Sequence, residues 1–145
     1  MHKSISLSSY VKRRNGLPLG ASGSLQAMLK RSFGAGSFDT FWQYWNPIWS
    51  YYLSRFVMKP LSRVLPFWLS VIVTFSVSGA LHDVVVSIIK WQLIFVLTPW
   101  FTLMGLLVVT LKYAQVSYLG YRWLVRALIN LSLIGTSFYL TTLFI

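Results

Sequence analysis

Three long apolar stretches occupy the second half of the chain. They cover about residues 67–89, 91–111 and 123–144, and each has roughly the twenty residues that a helix needs to cross a bilayer core of about 30 Å. Lys90 alone separates the first two, which predicts a tight antiparallel hairpin. Pro99 predicts a kink early in the second stretch, because proline removes a backbone donor. The pattern predicts an all-α integral membrane protein with three transmembrane helices.

A second pattern precedes these stretches, over residues 38–58. Aromatic side chains recur there at three- and four-residue steps, which predicts a helix with one strongly apolar face. Pro47 predicts a kink or break at Asn46, because proline disfavours the helical conformation of the residue before it. Lys59-Pro60 and Leu65-Pro66 predict the end of this helix and the start of the next. Trp and Tyr favour the headgroup level of a membrane, so the segment is predicted to be an amphipathic lateral helix.

Residues 1–36 form a basic segment that is rich in Ser and Gly and contains no acidic residue. A segment with so few apolar side chains is not expected to order itself. The rest of the chain or a partner is therefore predicted to hold it in place. The predicted organisation is a polar N-terminal segment, 1–36, followed by a membrane domain, 37–145.

Composition and charge narrow the class of protein further. Only 10% of the 145 residues are charged, against about 25% in soluble domains. The chain has thirteen Lys and Arg and only two acidic residues, a net charge of +11, which predicts contact with anionic lipid headgroups or with an acidic partner. Nucleic acid is not a predicted partner, because most basic residues flank the spans. The absence of Cys excludes disulfides and thiolate chemistry, and no metal-ligand cluster stands out in the sequence.

The basic residues also predict an orientation. Nine Lys and Arg precede the first span, one lies between the first two, three flank the next connection and none follows the third. Loops on the cytoplasmic side of a membrane carry the excess of Lys and Arg. A multi-pass protein with its N-terminus on the cytoplasm-equivalent side is predicted.

The first span contains an ionisable pair, His82 and Asp83. Such side chains are costly in hydrocarbon unless they face protein or water, so they indicate a functional site by default. At about 100° per residue, His82 shares a helix face with Ser78 and Thr74, whereas Asp83 lies to one side. Three roles for His82 remain open: a structural hydrogen bond to a neighbouring span, general base catalysis, and axial ligation of a porphyrin or chlorophyll pigment.

Three short segments follow one another in a characteristic order within residues 37–89. They are Phe41-Trp42-Gln43-Tyr44-Trp45-Asn46, Met58-Lys59-Pro60-Leu61 and Ser78-Gly79-Ala80-Leu81-His82-Asp83. Their order and spacing resemble the membrane-bound O-acyltransferase family, and within it the branch of wax-ester synthases and related sterol and diacylglycerol acyltransferases.

This resemblance implies acyl transfer from a thioester such as acyl-CoA, the implied co-substrate, to a lipid-type hydroxyl. His82 matches the catalytic histidine of the family and is expected to take the proton of the attacking hydroxyl. Asn46 matches the family's asparagine and is expected to orient a substrate or to hydrogen-bond the developing oxyanion. Ser78, Trp45 and Asp83 are expected to support the site, with the role of Asp83 as orienting or packing group left open.

The chain departs from the family in size, because family members build their reaction chamber from many more helices than this chain has. Either another chain supplies the missing helices, or the fold is a remnant kept for another task. The alternative function is therefore a non-catalytic accessory subunit of a larger photosynthetic or respiratory membrane complex, binding lipid or pigment.

Overall fold

The structure is a computed structural model that describes residues 4–145, and this part of the chain folds entirely into helices, turns and loops. The helices α6 and α8 are long and apolar enough to cross a membrane, whereas α7 has 17 residues and is shorter. The helices are α1 (Leu7–Asn15), α2 (Ser24–Phe33), α3 (Phe38–Tyr44), α4 (Pro47–Leu53), α5 (Lys59–Ser62), α6 (Phe67–Lys90), α7 (Leu97–Tyr113) and α8 (Trp123–Leu143).

α6 and α8 correspond to the first and third predicted apolar stretches, and their boundaries agree with the prediction to within one residue. The second does not: α7 begins at Leu97, so the prediction of a helix from residue 91 is wrong. Trp91 takes a left-handed conformation with φ 51°, which ends α6. Pro99 falls in the first turn of α7, where its missing N–H has no helical acceptor to lose. The predicted kink is therefore also wrong, because Pro99 lies in the first turn of α7 and not inside a helix that continues on both sides.

α6 and α7 pack side by side and antiparallel, as the predicted hairpin requires. The two helices approach closely at glycines: a Cβ on Gly79 would lie 2.6 Å from the Leu97 carbonyl oxygen, and one on Gly105 would lie 2.9 Å from the Phe75 Cβ. Such small residues let helix backbones come close together. A hydrogen bond of 2.7 Å joins Ser76 Oγ to the Thr102 hydroxyl between them.

Replacement of Gly79 by alanine is expected to lower the free energy of unfolding by about 1–3 kcal/mol, because the new methyl group meets backbone atoms that cannot move aside. Gly135 is the matched control, since it lies inside α8 with nothing within 4 Å of the added Cβ. Gly135→Ala is expected to leave stability unchanged or to raise it, because alanine favours helix. Unfolding in detergent micelles, followed by circular dichroism, measures both. Equal effects of the two variants would contradict the close approach at Gly79.

The aromatic segment breaks where the sequence predicts it. α3 ends at Tyr44, Asn46 has φ 41°, and α4 begins with Pro47. The predicted end at Lys59-Pro60 is wrong, because α5 continues to Ser62. A π-helical turn over Ser54–Met58 precedes it, in which the Lys59 N–H donates to the Ser54 carbonyl oxygen. This wider turn accommodates the proline ring, which would otherwise clash with a carbonyl one turn earlier.

The described part of the basic N-terminal segment contacts the rest of this chain. The sequence left open whether the rest of the chain or a partner holds it in place. Residues 1–3 lie outside the described part. The Tyr51 hydroxyl donates to the Ile5 carbonyl oxygen at 3.2 Å, and the rings of Tyr10 and Tyr51 contact each other edge to face. Trp123 Nε1 of α8 donates to the Lys30 carbonyl oxygen at 3.0 Å. The segment contains α1 and α2, two helices that its composition does not predict.

The core sits where α3 meets α7, around Phe38 and Phe41, both only 1% exposed. A fully buried amide beside it, Asn130 of α8, donates to the carbonyl oxygens of Phe33 (3.0 Å) and Ala35 (3.1 Å). The Tyr118 hydroxyl donates to its Oδ1. Burial, and secondarily the charge of Asp39, raises the pKa of Tyr118 to about 12. Asn130 thereby joins α8 to the end of α2, to the α2–α3 connection and to the α7–α8 connection.

Candidate functional site

His82 lies on α6, about 22 Å from Phe67 at about 1.5 Å per residue. Its Nδ1 is 2.6 Å from the carbonyl oxygen of Ser78, one turn earlier in the same helix. A carbonyl oxygen only accepts hydrogen bonds, so the proton of the neutral imidazole is on Nδ1. Nε2 then carries a lone pair, and it makes no hydrogen bond within the described residues. The histidine is therefore arranged to accept a proton or to bind a metal through Nε2.

Two aromatic rings fix the orientation of the imidazole. The Trp49 ring lies edge to face with it, with centroids 5.5 Å apart, and the Phe101 ring lies 5.2 Å from it on α7. Trp49 Nε1 also donates to Ser78 Oγ at 2.9 Å. Ser78 therefore holds both rings, His82 through its carbonyl and Trp49 through its hydroxyl. The partly buried histidine lies in a niche formed by α4, α6 and α7.

Asn46 occupies the break before α4 and is exposed. Its Oδ1 accepts a hydrogen bond from the Trp49 backbone N–H at 3.3 Å and so caps α4. The left-handed conformation at this position is one that asparagine tolerates better than most residues. The side-chain NH₂ makes no hydrogen bond within the described residues. One residue, Trp49, thus contacts both Asn46 and His82, and its backbone and ring couple the two predicted site residues.

Asp83 is 4% exposed and points away from the imidazole, toward the start of α7. Its Oδ1 accepts from the backbone N–H of Val96 (3.2 Å) and Leu97 (2.9 Å), and its Oδ2 from the Thr98 N–H (2.7 Å) and hydroxyl (2.6 Å). A carboxylate at a helix N-terminus satisfies amides that have no partner within the helix. Between the two roles left open by the sequence, these bonds make Asp83 a structural group that caps α7.

The other predicted supporting residues lie on different sides of the niche. Ser78 is central to it, as described above. Trp45 packs against Phe41 and Phe33, with ring centroids 5.6 Å and 6.1 Å apart, and these contacts belong to the core. Trp49 is not among the residues that the sequence predicts for the site. Its position three residues after Asn46, on the aromatic face, is the signal that identifies it.

Comparison of the chain with models of protein families, with curated proteins and with solved structures finds no match. The family resemblance consequently rests on the three sequence segments and their residues. The geometry adds an imidazole with an available Nε2 and an asparagine coupled to it through Trp49.

Two surface grooves occur away from the niche. One is lined by residues of α1, α3, α6 and α7, and the other by the α2–α3 and α7–α8 connections with nearby residues of α3 and α7. Neither is lined by His82 or Asn46. Within the described residues no group of three or more His, Cys, Asp or Glu side chains is placed to hold a metal ion. His82 is the only histidine among the described residues.

Proposed function

We propose that this chain is a membrane-embedded O-acyltransferase of the type that its motifs resemble, moving an acyl group from a thioester such as acyl-CoA to a lipid-type hydroxyl. The observation that carries the proposal is the hydrogen bond between His82 Nδ1 and the Ser78 carbonyl oxygen. It leaves the Nε2 lone pair available as a base, and Trp49 and Phe101 hold the ring in one orientation.

Membrane embedding is part of the proposal and has its own support. The most apolar windows of α6 and α8 are only 17% and 22% buried within the fold. The core helix of a soluble protein would be mostly buried, so these apolar faces need lipid or another subunit to cover them. The excess of basic residues before α6 and around the α7–α8 connection favours the cytoplasm-equivalent side for the N-terminus.

In the proposed reaction the acceptor hydroxyl attacks the thioester carbonyl carbon while His82 Nε2 takes the hydroxyl proton. The carbonyl oxygen gains negative charge, and the NH₂ of Asn46 donates a hydrogen bond to it. The tetrahedral intermediate then expels the thiolate, which receives the proton from the imidazolium. The ester and the free thiol are formed in equal amounts, and the histidine returns to its starting state.

The direct test is an assay of the full chain in phospholipid bilayers with long-chain acyl-CoA and a long-chain alcohol. We expect ester and free CoA to appear in equal amounts. Hydrolysis would instead release CoA without ester. If no acyl transfer occurs with alcohol, sterol or diacylglycerol as acceptor, the chain alone is not an acyltransferase.

Replacement of Asn46 by aspartate is expected to lower kcat roughly 10²-fold, the effect typical of losing one oxyanion donor. Aspartate keeps the oxygen that caps α4 and tolerates the left-handed backbone, but it loses the NH₂ donor. Asn46→Gly is a control for the left-handed backbone conformation, which glycine also adopts. This variant removes the side-chain amide as well. Kinetic constants and unfolding midpoints are measured for both. Full activity of a stably folded Asn46→Asp would remove Asn46 from the catalytic residues.

A second candidate, the accessory subunit, is favoured by the exposed apolar face of α6 beside the niche. α4, α6 and α7 form its walls, and the adjoining face of α6 exposes Leu81, Val84 and Val85. Another membrane subunit docked there would complete the enclosure. The native mass of the protein extracted from its own membrane separates the candidates: a chain found only in a larger complex, and inactive by itself, supports the subunit. A visible absorption band lost in His82→Ala would indicate pigment ligation.

A further inference from the structure

A groove of about 210 Å³ opens between α1, α3, α6 and α7, on the side of the bundle where α6 begins and α7 ends. From Phe67 to Phe75 it follows α6 for about 12 Å. It is smaller than the roughly 300–1,000 Å³ of pockets that enclose whole drug-sized ligands, so it fits a segment of a longer molecule. Its walls are largely apolar and include Phe67, Trp68, Val71, Phe75, Val108 and Val109.

The rim of the groove carries an excess of positive charge. Arg14 of α1 and Lys112 of α7 line it together with a single acid, Asp39. The Lys112 ammonium lies 3.8 Å from Asp39 Oδ2 and 5.2 Å from the centre of the Phe67 ring. The charge of Asp39 is thereby compensated, and Arg14 is left as a cation facing no carboxylate within the described residues. An apolar channel with a cationic rim fits a ligand with an acyl chain and an anionic head.

Two side chains that line this groove each carry a buried donor with no acceptor within the described residues. Arg14 Nε and Trp42 Nε1 are inaccessible and unpaired within the described residues, and of the five such side-chain atoms there, these two belong to residues that line the groove. Arg14 Nη1 donates to Gln43 Oε1 at 3.0 Å, which holds the guanidinium in place. Buried donors in native proteins nearly always have a partner. A head group with several acceptor oxygens supplies partners for both.

We propose that this groove binds an anionic membrane phospholipid, with its phosphate oxygens at Arg14 and Trp42 and the beginning of one acyl chain along α6 and α7. The site rests on the membrane embedding proposed above and is independent of the acyl transfer. Arginine binds phosphate through charge-assisted hydrogen bonds, and the Trp42 indole adds a neutral donor. Sulfates, free phosphate or a soluble acidic ligand would not use the apolar walls.

The test uses the full chain purified in a neutral detergent and titrated with phosphatidylglycerol, phosphatidylcholine or inorganic phosphate. Binding to the folded state raises the unfolding midpoint in a concentration-dependent way. We expect phosphatidylglycerol to stabilise the protein at concentrations about tenfold lower than phosphatidylcholine, and inorganic phosphate to have no effect. Arg14→Gln and Trp42→Phe are expected to raise the phosphatidylglycerol concentration needed by about tenfold and severalfold respectively.

Arg13→Gln is the matched control, because Arg13 is exposed on the same helix and its replacement removes the same charge as Arg14→Gln. It is expected to change phosphatidylglycerol binding less than twofold. Because Trp42→Phe also removes ring contacts with Phe38, Phe41 and Phe75, its response to each lipid is measured relative to its own unfolding midpoint without lipid. An equal response to both phospholipids, or an equal loss in Arg13→Gln and Arg14→Gln, would overturn the site. So would stabilisation by phosphate alone.

The outcome for the lipid site can be separated from the outcome for membrane embedding. Extraction of native membranes at alkaline pH releases peripheral proteins and leaves embedded ones in the pellet. A chain that remains in the pellet but does not distinguish phosphatidylglycerol from phosphatidylcholine contradicts the lipid site alone. A chain that is released by the extraction contradicts the embedding on which the site rests.

Discussion

Replacement of Asp83 by alanine is expected to lower the free energy of unfolding by about 3–5 kcal/mol, without direct loss of a catalytic group. The carboxylate accepts four hydrogen bonds from Val96, Leu97 and Thr98 at the start of α7. Alanine would leave three backbone N–H groups and one hydroxyl without this acceptor, and each unsatisfied buried donor costs about 1–3 kcal/mol. The measurement is reversible unfolding in mixed micelles.

The second acid of the chain provides the control for Asp83. Asp39 is paired with Lys112 at 3.8 Å near the surface, and Asp39→Asn keeps an oxygen for the Ser37 hydroxyl that donates to it at 2.7 Å. Exposed ion pairs contribute about 0–1 kcal/mol, so this variant is expected to be nearly as stable as the wild type. Equal losses in Asp83→Ala and Asp39→Asn would indicate that net charge, and not the cap of α7, determines stability.

The long apolar helices were predictable because hydropathy and length report on them directly. α6 and α8 have the predicted boundaries to within one residue. The start of α7 was not predictable in the same way, since Trp91–Val96 is as apolar as the helix that follows. The left-handed backbone at Trp91 ends α6. The cap that Asp83 provides starts α7. Both depend on contacts that composition does not contain.

The N-terminal helices illustrate a different limit. α1 and α2 are short, and Ser, Gly and basic residues surround them, so local propensity alone does not predict them. They are stabilised by groups far along the chain. Asn130 donates hydrogen bonds to the carbonyl oxygens of Phe33 and Ala35, which lie 97 and 95 residues earlier in the chain. An asparagine inside an apolar span is a recognisable signal for such a bond, but the sequence does not identify its partner.

The candidate site was partly predictable. The sequence identifies His82 as unusual, because an ionisable group in an apolar helix needs a counterpart. The structure supplies counterparts within the protein: the Ser78 carbonyl oxygen and the rings of Trp49 and Phe101. Burial of the neighbouring Asp83 has the same kind of energetic cost, but its hydrogen-bond partners lie elsewhere, at the start of α7. Two adjacent residues therefore differ in role because a helix turns by about 100° between them.

The coupling between Asn46 and His82 gives the break at Pro47 a physical purpose. A continuous helix through this point would give the Trp49 N–H an intrahelical carbonyl acceptor. Because α4 begins after the break, its first N–H groups need a cap, and Asn46 provides one at Trp49. The same residue then places its indole against His82. Trp49 is thus the one residue that links Asn46 to the imidazole by direct contacts on both sides.

Replacement of His82 by asparagine is expected to reduce kcat for the proposed acyl transfer by about 10²–10⁴-fold, the range typical of losing a general base. Asparagine retains an N–H near the position of Nδ1 and still donates to the Ser78 carbonyl oxygen, but it has no basic nitrogen at the position of Nε2. Stability is expected to change little. Val85→Asn, about one turn further along α6 on an exposed face, controls for the introduction of an amide into α6 and is expected to retain activity. The assay measures ester and free CoA for both variants in the same bilayers. Persistence of acyl transfer in a folded His82→Asn would assign the proton transfer to another group and leave the imidazole a structural role beside Trp49.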